Sequence, residues 1–148
     1  GQKPQKPWIY FSKYHDSVTD ELKEEFRRHY IDSVCRLSRN HPVYLTRPIP
    51  EIPVSVPSVM TRNLLLGKPH DIKTSRQEYC QRHAFILQVQ DEASDQCGAR
   101  ILDPLPWLCD ITDCYASVTG MPPYQDRDHL NLTGSRRLTP LFRSIFAH

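Results

Sequence analysis

Tyr124-Gln125-Asp126-Arg127-Asp128-His129-Leu130 places a carboxylate three residues ahead of an imidazole. At that spacing the two groups can form the base half of a hydrolytic triad. The Asp126 carboxylate accepts the Nδ1 proton of His129, fixes the tautomer and leaves Nε2 to take a proton from a nucleophile. Asp128 is a second carboxylate nearby. In an extended loop an adjacent residue points away from the ring, so Asp126 is the preferred partner, and Asp128 is expected to be solvated or to make a local turn bond. Neither Gly-Asp-Ser nor Gly-x-Ser-x-Gly occurs in the 148 residues, so the hydroxyl that would complete a triad is not visible. The chain reads as the back half of a catalytic domain.

Metal chemistry is the main rival. Cys80-x-x-His83 together with Cys109 and Cys114 offers four zinc ligands, and Asp126, Asp128 and His129 offer a hard-ligand cluster. Against zinc, Cys80 and His83 fall in the middle of a helical pattern with His83 on its apolar stripe, where a core histidine is the commoner state. No metal and no cofactor are expected.

The elements that must carry this loop can be read from the pattern of apolar residues. Ser17 to Asp20 has the spacing of a capping box, and Leu22, Phe26, Tyr30, Val34 and Leu37 recur at helical intervals, which predicts a helix over 19–37. His41-Pro42 ends it, and Val43-Tyr44-Leu45-Thr46 follows as a buried parallel strand. Between Arg47 and Pro69, five prolines exclude a long helix or a central strand and predict an extended excursion of the kind that can line a site. Thr74-x-x-Gln77 suggests a second capping box. Tyr79, His83, Ile86 and Val89 or Gln90 mark the inner face of a helix ending near Asp95. Gly98 breaks that helix before a strand over 99–103. Residues 104–123 read as turn-rich, with a hairpin around Thr119-Gly120. Thr133-Gly134-Ser135 opens a terminal helix that Pro140 kinks or divides.

Composition bounds the rest. One core is expected in 148 residues, and 39% hydrophobic with 24% charged residues fits a globular chain. A formal charge of +2, with dispersed basic residues, gives no footprint for nucleic acid. No apolar run reaches bilayer length and no signal peptide opens the chain. Residues 1–8 read as a polar linker or a cut edge. Five cysteines leave at least one unpaired within the chain. Cys109 and Cys114, flanking the turn-like Asp-Ile-Thr-Asp, could close a small disulfide loop, which would imply an oxidising compartment; five free thiols are the alternative. Alternating helix and strand indicates a parallel α/β sheet with helices on both faces and loop 124–130 beyond the carboxyl ends of its strands. Two or three core strands are visible, fewer than such a sheet needs, so N-terminal strands are expected to be missing.

Four segments in order resemble one known family. They are Val43-Tyr-Leu-Thr-Arg-Pro-Ile-Pro-Glu51, Ser75-Arg-Gln-Glu-Tyr79, Ile101-Leu-Asp-Pro104 leading to Leu108-Cys109, and Asp126-x-x-His129-Leu130 with Gly134-Ser135. Over roughly residues 20–146 the chain is similar to the SGNH-hydrolase-like C-terminal domain of acyltransferase-3 type membrane proteins, which O-acetylate bacterial surface sugars. The resemblance implies a three-layer, flavodoxin-like α/β fold, with this chain as the C-terminal portion of a single domain. It implies Asp126 as orienting acid and His129 as general base in ping-pong acyl transfer through a Ser. That Ser and the Gly and Asn oxyanion donors belong to earlier blocks with no counterpart here, so the isolated chain is expected to be inactive.

The same resemblance raises the expectation of a Cys109–Cys114 disulfide. Cys35, Cys80 and Cys97 read better as small buried hydrophobes or a free thiol. Trp8, Tyr10, Phe11, Tyr14, Trp107 and Tyr124 could stack on sugar rings, although core packing suits most of them. Trp107 and Tyr124 are kept as acceptor contacts. The implied partners are the upstream Ser-bearing part of the domain, a membrane-embedded acyltransferase domain as acyl donor, a carbohydrate acceptor and, given an exposed sheet edge, a second copy. The implied location is periplasmic, tethered to the inner membrane. A non-catalytic carbohydrate-binding or docking module on the same frame is the alternative.

Overall fold

The computed structural model describes residues 7, 9, 11, 13–68, 71–117 and 122–146. Trp8, Tyr10 and Ser12, most of the 1–8 linker and the hairpin expected around Thr119-Gly120 lie outside the described residues. Those that are described form an α/β arrangement of helices and short strands, divided into two compact units.

The first unit holds residues up to Leu45 together with Phe85–Ile101. Helix α1 (Asp20–Ser38) starts where Thr19, not Ser17, supplies the cap: its backbone is extended and its side-chain hydroxyl accepts the Leu22 N–H at 3.1 Å. Asp20 and Glu21 in the first turn complement the helix dipole. Ile31 and Val34 of α1 pack with Leu45, Val89, Ala93 and Ala99, and Phe26, Tyr30 and Phe85 close over them. Leu37, expected on this stripe, is 57% exposed.

Cys35 and Cys97 form a disulfide across 62 residues, which corrects the reading of both as unpaired. Helix packing brings together two positions that no local pattern connects. The pairing also leaves Cys80 as the free, exposed thiol.

Strand β1 (Tyr44–Thr46) pairs with β3 (Arg100–Leu102). The Arg100 N–H donates to the Val43 carbonyl and the Arg47 N–H to the Leu102 carbonyl, both at 2.9 Å, the slanted pattern of a parallel pair. Between these strands the chain runs through α3 (Arg76–Cys97), ended by Gly98 at φ 71°.

The second unit, Thr46–Ala84 with Leu102–His148, departs further from expectation. The proline-rich excursion contains a ten-residue helix, α2 (Val56–Leu65), because Pro57 falls in its first turn, where a missing N–H costs nothing. Strand β2 (Ile72–Ser75) and strand β4 (Asp113–Ser117) pair antiparallel, with Thr74 opposite Cys114. Neither strand was legible, since four or five residues with alternating burial carry little periodic signal. The described strands therefore make one parallel and one antiparallel pair, not the single parallel sheet expected from the pattern.

The capping box of α3 lies one residue later than its expected position. The Glu78 carboxylate accepts the Ser75 N–H at 2.9 Å, and the Ser75 hydroxyl accepts the Glu78 N–H at 3.1 Å. A short helix α4 (Leu105–Leu108) precedes the Cys109–Cys114 disulfide. Helix α5 (Leu132–Arg137) and helix α6 (Thr139–Phe146) divide the terminal segment, as Pro140 allowed, the break falling at Leu138. Ile52, Val56, Ile72, Ala116 and Tyr124 form the core of this unit.

Candidate active site

Loop 124–130 is a tight, closed turn rather than an extended loop. Tyr124 and Leu130 face each other in an antiparallel bridge, the Gln125 N–H donates to the His129 carbonyl at 2.8 Å, and the Asn131 N–H donates to the Pro123 carbonyl at 3.0 Å. Tyr124 anchors the base: it is 1% exposed, and its hydroxyl donates to the Pro50 carbonyl at 2.8 Å. That burial corrects its assignment as an acceptor contact, because no face of the ring is left for a sugar.

Two further bonds tie the loop to the excursion. The Ile52 N–H donates to the Arg127 carbonyl at 2.8 Å, and the Val56 N–H to the Asp126 carbonyl at 3.4 Å. Helix α5 seals the other side. Asn131 caps it by accepting the Gly134 N–H at 3.0 Å, and a Cβ at Gly134 would lie 2.2 Å from the Pro123 carbonyl oxygen, so only glycine permits this approach.

Within this frame Asp126 uses both oxygens. Oδ1 accepts the backbone N–H groups of Asp128 (2.9 Å) and His129 (2.8 Å), an Asx turn that folds the chain back on itself. Oδ2 lies 2.8 Å from His129 Nδ1. The loop's tightness also brings Asp128 Oδ1 to 3.2 Å from the same nitrogen, so Asp128 does not point away as an extended loop would require. Asp126 remains the better partner, since it is closer and already held by two backbone donors.

The electrostatics follow from these bonds. The Asp128 N–H, followed by the N–H and ring of His129, holds the Asp126 carboxyl well below the usual carboxylate range. The Asp126 carboxylate, with a smaller contribution from Asp128, raises the His129 ring above its ordinary value. The ring is 71% exposed with Nδ1 engaged, which leaves Nε2 for proton transfer. Among the described residues no serine hydroxyl is hydrogen-bonded to it.

A cleft of about 770 Å³ opens beside the loop, lined in part by Glu51, Ile52, Thr74, Arg82, Arg127 and Asp128. Glu51 and Arg82 form an ion pair across it. Neither was among the site residues singled out from the sequence; the signal there was the proline-rich excursion that carries Glu51. Trp107 lines a different cavity, about 510 Å³, with Asp110, Tyr115 and Arg137 among its walls and neither Asp126 nor His129.

The four-ligand zinc set is dismantled, because Cys109 and Cys114 are bonded to each other while Cys80 is exposed and His83 buried. Asp126, Asp128 and His129 keep their ligand atoms within 4.8 Å of one another, an exposed cluster explained by the turn itself.

No curated protein and no solved structure gives a significant match to the chain. The family model described as the SGNH domain fused to AT3 domains does match, over residues 6–144. With its Asp-x-x-His turn formed and nearly its whole length covered by that model, the chain belongs to the family of SGNH domains fused to AT3 domains.

Proposed function

We propose that this chain supplies the acid–base half of an O-acyl transfer site that modifies hydroxyls of a bacterial surface carbohydrate. The observation that carries it is the 2.8 Å contact between Asp126 Oδ2 and His129 Nδ1, which leaves Nε2 as the base. A Ser on a segment outside these 148 residues attacks the acyl carbonyl, and Nε2 takes its proton. The same proton goes to the departing donor group. The acceptor hydroxyl then loses its proton to Nε2 as it attacks the acyl-serine, and the returned proton regenerates the Ser.

An acetyl group supplied by the AT3 membrane domain is the donor in this scheme. The completed domain takes the three-layer, flavodoxin-like arrangement, with β1 and β3 as part of its parallel sheet and this chain as its C-terminal portion. Two disulfides favour an oxidising compartment, hence a periplasmic site at the inner membrane. In this scheme the AT3 part carries the membrane tether; among the described residues no helix is long and apolar enough to cross a membrane.

Intact-protein mass spectrometry tests the scheme. A chain extended through the Ser-bearing segment, exposed to an acetyl ester, should gain one acetyl group on that Ser. The His129→Ala variant should not gain it. Equal acetylation of both proteins removes His129 from the mechanism.

The Trp107 cavity, separate in its lining from the Asp126–His129 loop, favours a second reading, in which the frame binds carbohydrate without catalysis. Saccharide binding that depends on Trp107 and persists without any acetylation would support it.

A further inference from the structure

The C-terminal end of α2 carries an apolar surface that acyl transfer does not use. Leu64, Leu65 and Leu66 are 71%, 83% and 59% exposed. Single exposed leucines are ordinary, whereas a contiguous apolar patch marks a contact surface. The tip is well formed: Gly67 takes φ 61°, its N–H donates to the Leu64 carbonyl at 3.1 Å, and the Lys68 N–H reaches the Asn63 carbonyl at 3.0 Å. Those two bonds make a Schellman closure, in which the residue after the glycine is commonly apolar and packs back on the last turn. Here that residue is Lys68.

Charge narrows the occupant. From Val56 to Lys68 the sequence holds Arg62 and Lys68 and no Asp or Glu, with Glu51 and Asp71 beyond either end. Adjacent leucines flanked by cations suit a bilayer surface, where the acyl region takes the leucine side chains and anionic headgroups pair with the cations. Position adds a consequence. The N-terminal end of α2 is bonded to the active-site loop through Val56 and the Asp126 carbonyl, and ten helical residues span about 15 Å.

We infer that the Leu64–Leu66 tip, with Arg62 and Lys68, is a membrane-contact element that seats on an anionic lipid surface and sets the Asp126–His129 loop about one helix length away from it. Lipid contact stands apart from the proposed acyl transfer, and only the consequence for the loop rests on that reading.

Flotation of the full chain with mixed phosphatidylglycerol–phosphatidylcholine vesicles, and with phosphatidylcholine alone, tests it. The wild-type chain should float with the mixed vesicles. Leu64→Ser/Leu65→Ser/Leu66→Ser should lower the bound fraction at least about tenfold, and Arg62→Gln/Lys68→Gln should lower it about fivefold per cation, an effect that added salt reproduces. Leu65→Ser alone, at the most exposed of the three positions, gives the same direction if the triple variant fails to fold. A wild-type chain that stays unbound, or leucine variants that bind as well as wild type, overturns the proposal. So does absent vesicle binding combined with lost acyl transfer in the AT3-fused protein, which would make the occupant a protein surface. Ester hydrolysis reports His129 separately, so failure of one idea is distinguishable from failure of the other.

Discussion

One carboxylate of Asp126 holds both its own loop and the ring of His129: Oδ1 accepts the backbone N–H groups of Asp128 and His129, while Oδ2 stands 2.8 Å from Nδ1. Asp126→Asn keeps an acceptor for the turn but loses the charge that stabilises an imidazolium. In the extended, Ser-bearing chain it should lower kcat/KM about a thousandfold or more, whereas Asp128→Asn, which removes only an exposed second partner, should stay within about tenfold. Steady-state kinetics of the two variants decides which carboxylate orients the ring.

The raised ring pKa predicts a pH profile. His129 must be neutral to act as base, so the acidic limb of kcat/KM should lie above the ordinary histidine value of 6.5 and move down in Asp126→Asn. Linkage has the same origin. Stabilisation from the raised His129 is fully present below about pH 6.5 and is lost as pH rises through its folded value; stabilisation from the lowered Asp126 is present above about pH 3.8 and is lost on further acidification. An NMR titration of the ring in both proteins checks the shift.

Gly134 and Tyr124 should be the loop's stability hot spots. Gly134→Ala drives a methyl against the Pro123 carbonyl and should cost about 1–3 kcal/mol. Tyr124→Phe strands the Pro50 carbonyl and should cost about 1–2 kcal/mol. Urea unfolding measures both, and each variant should also weaken catalysis by loosening the turn.

The two disulfides should differ in weight. By chain entropy, the 62-residue Cys35–Cys97 loop is worth about 4 kcal/mol and the five-residue Cys109–Cys114 loop about 2 kcal/mol. Denaturation of the paired Cys→Ala variants should show the first as the larger loss.

What the sequence made legible follows from how local each signal was. Helix α1, β1, the Gly98 stop and the Asp126–His129 pair depend on residues within a turn or two of each other, and each stands within a residue or two of its expected place. Local chemistry also misled where two caps were possible: Thr19 outcompetes Ser17, and Ser75 with Glu78 outcompetes Thr74 with Gln77. Long-range facts were invisible. The Cys35–Cys97 bond, the β2–β4 pair, the Glu51–Arg82 ion pair and the burial of Tyr124 under Pro50 each join segments many residues apart. Asp128 was misjudged because the Asx turn, not an extended loop, sets its direction.

The most direct test of the central claim is hydrolysis of a chromogenic acetyl ester by the extended chain, run beside His129→Ala with and without added imidazole. The variant should lose about a thousandfold or more and recover in part with imidazole. A His129→Ala protein that is folded and hydrolyses the ester at the wild-type rate would contradict it.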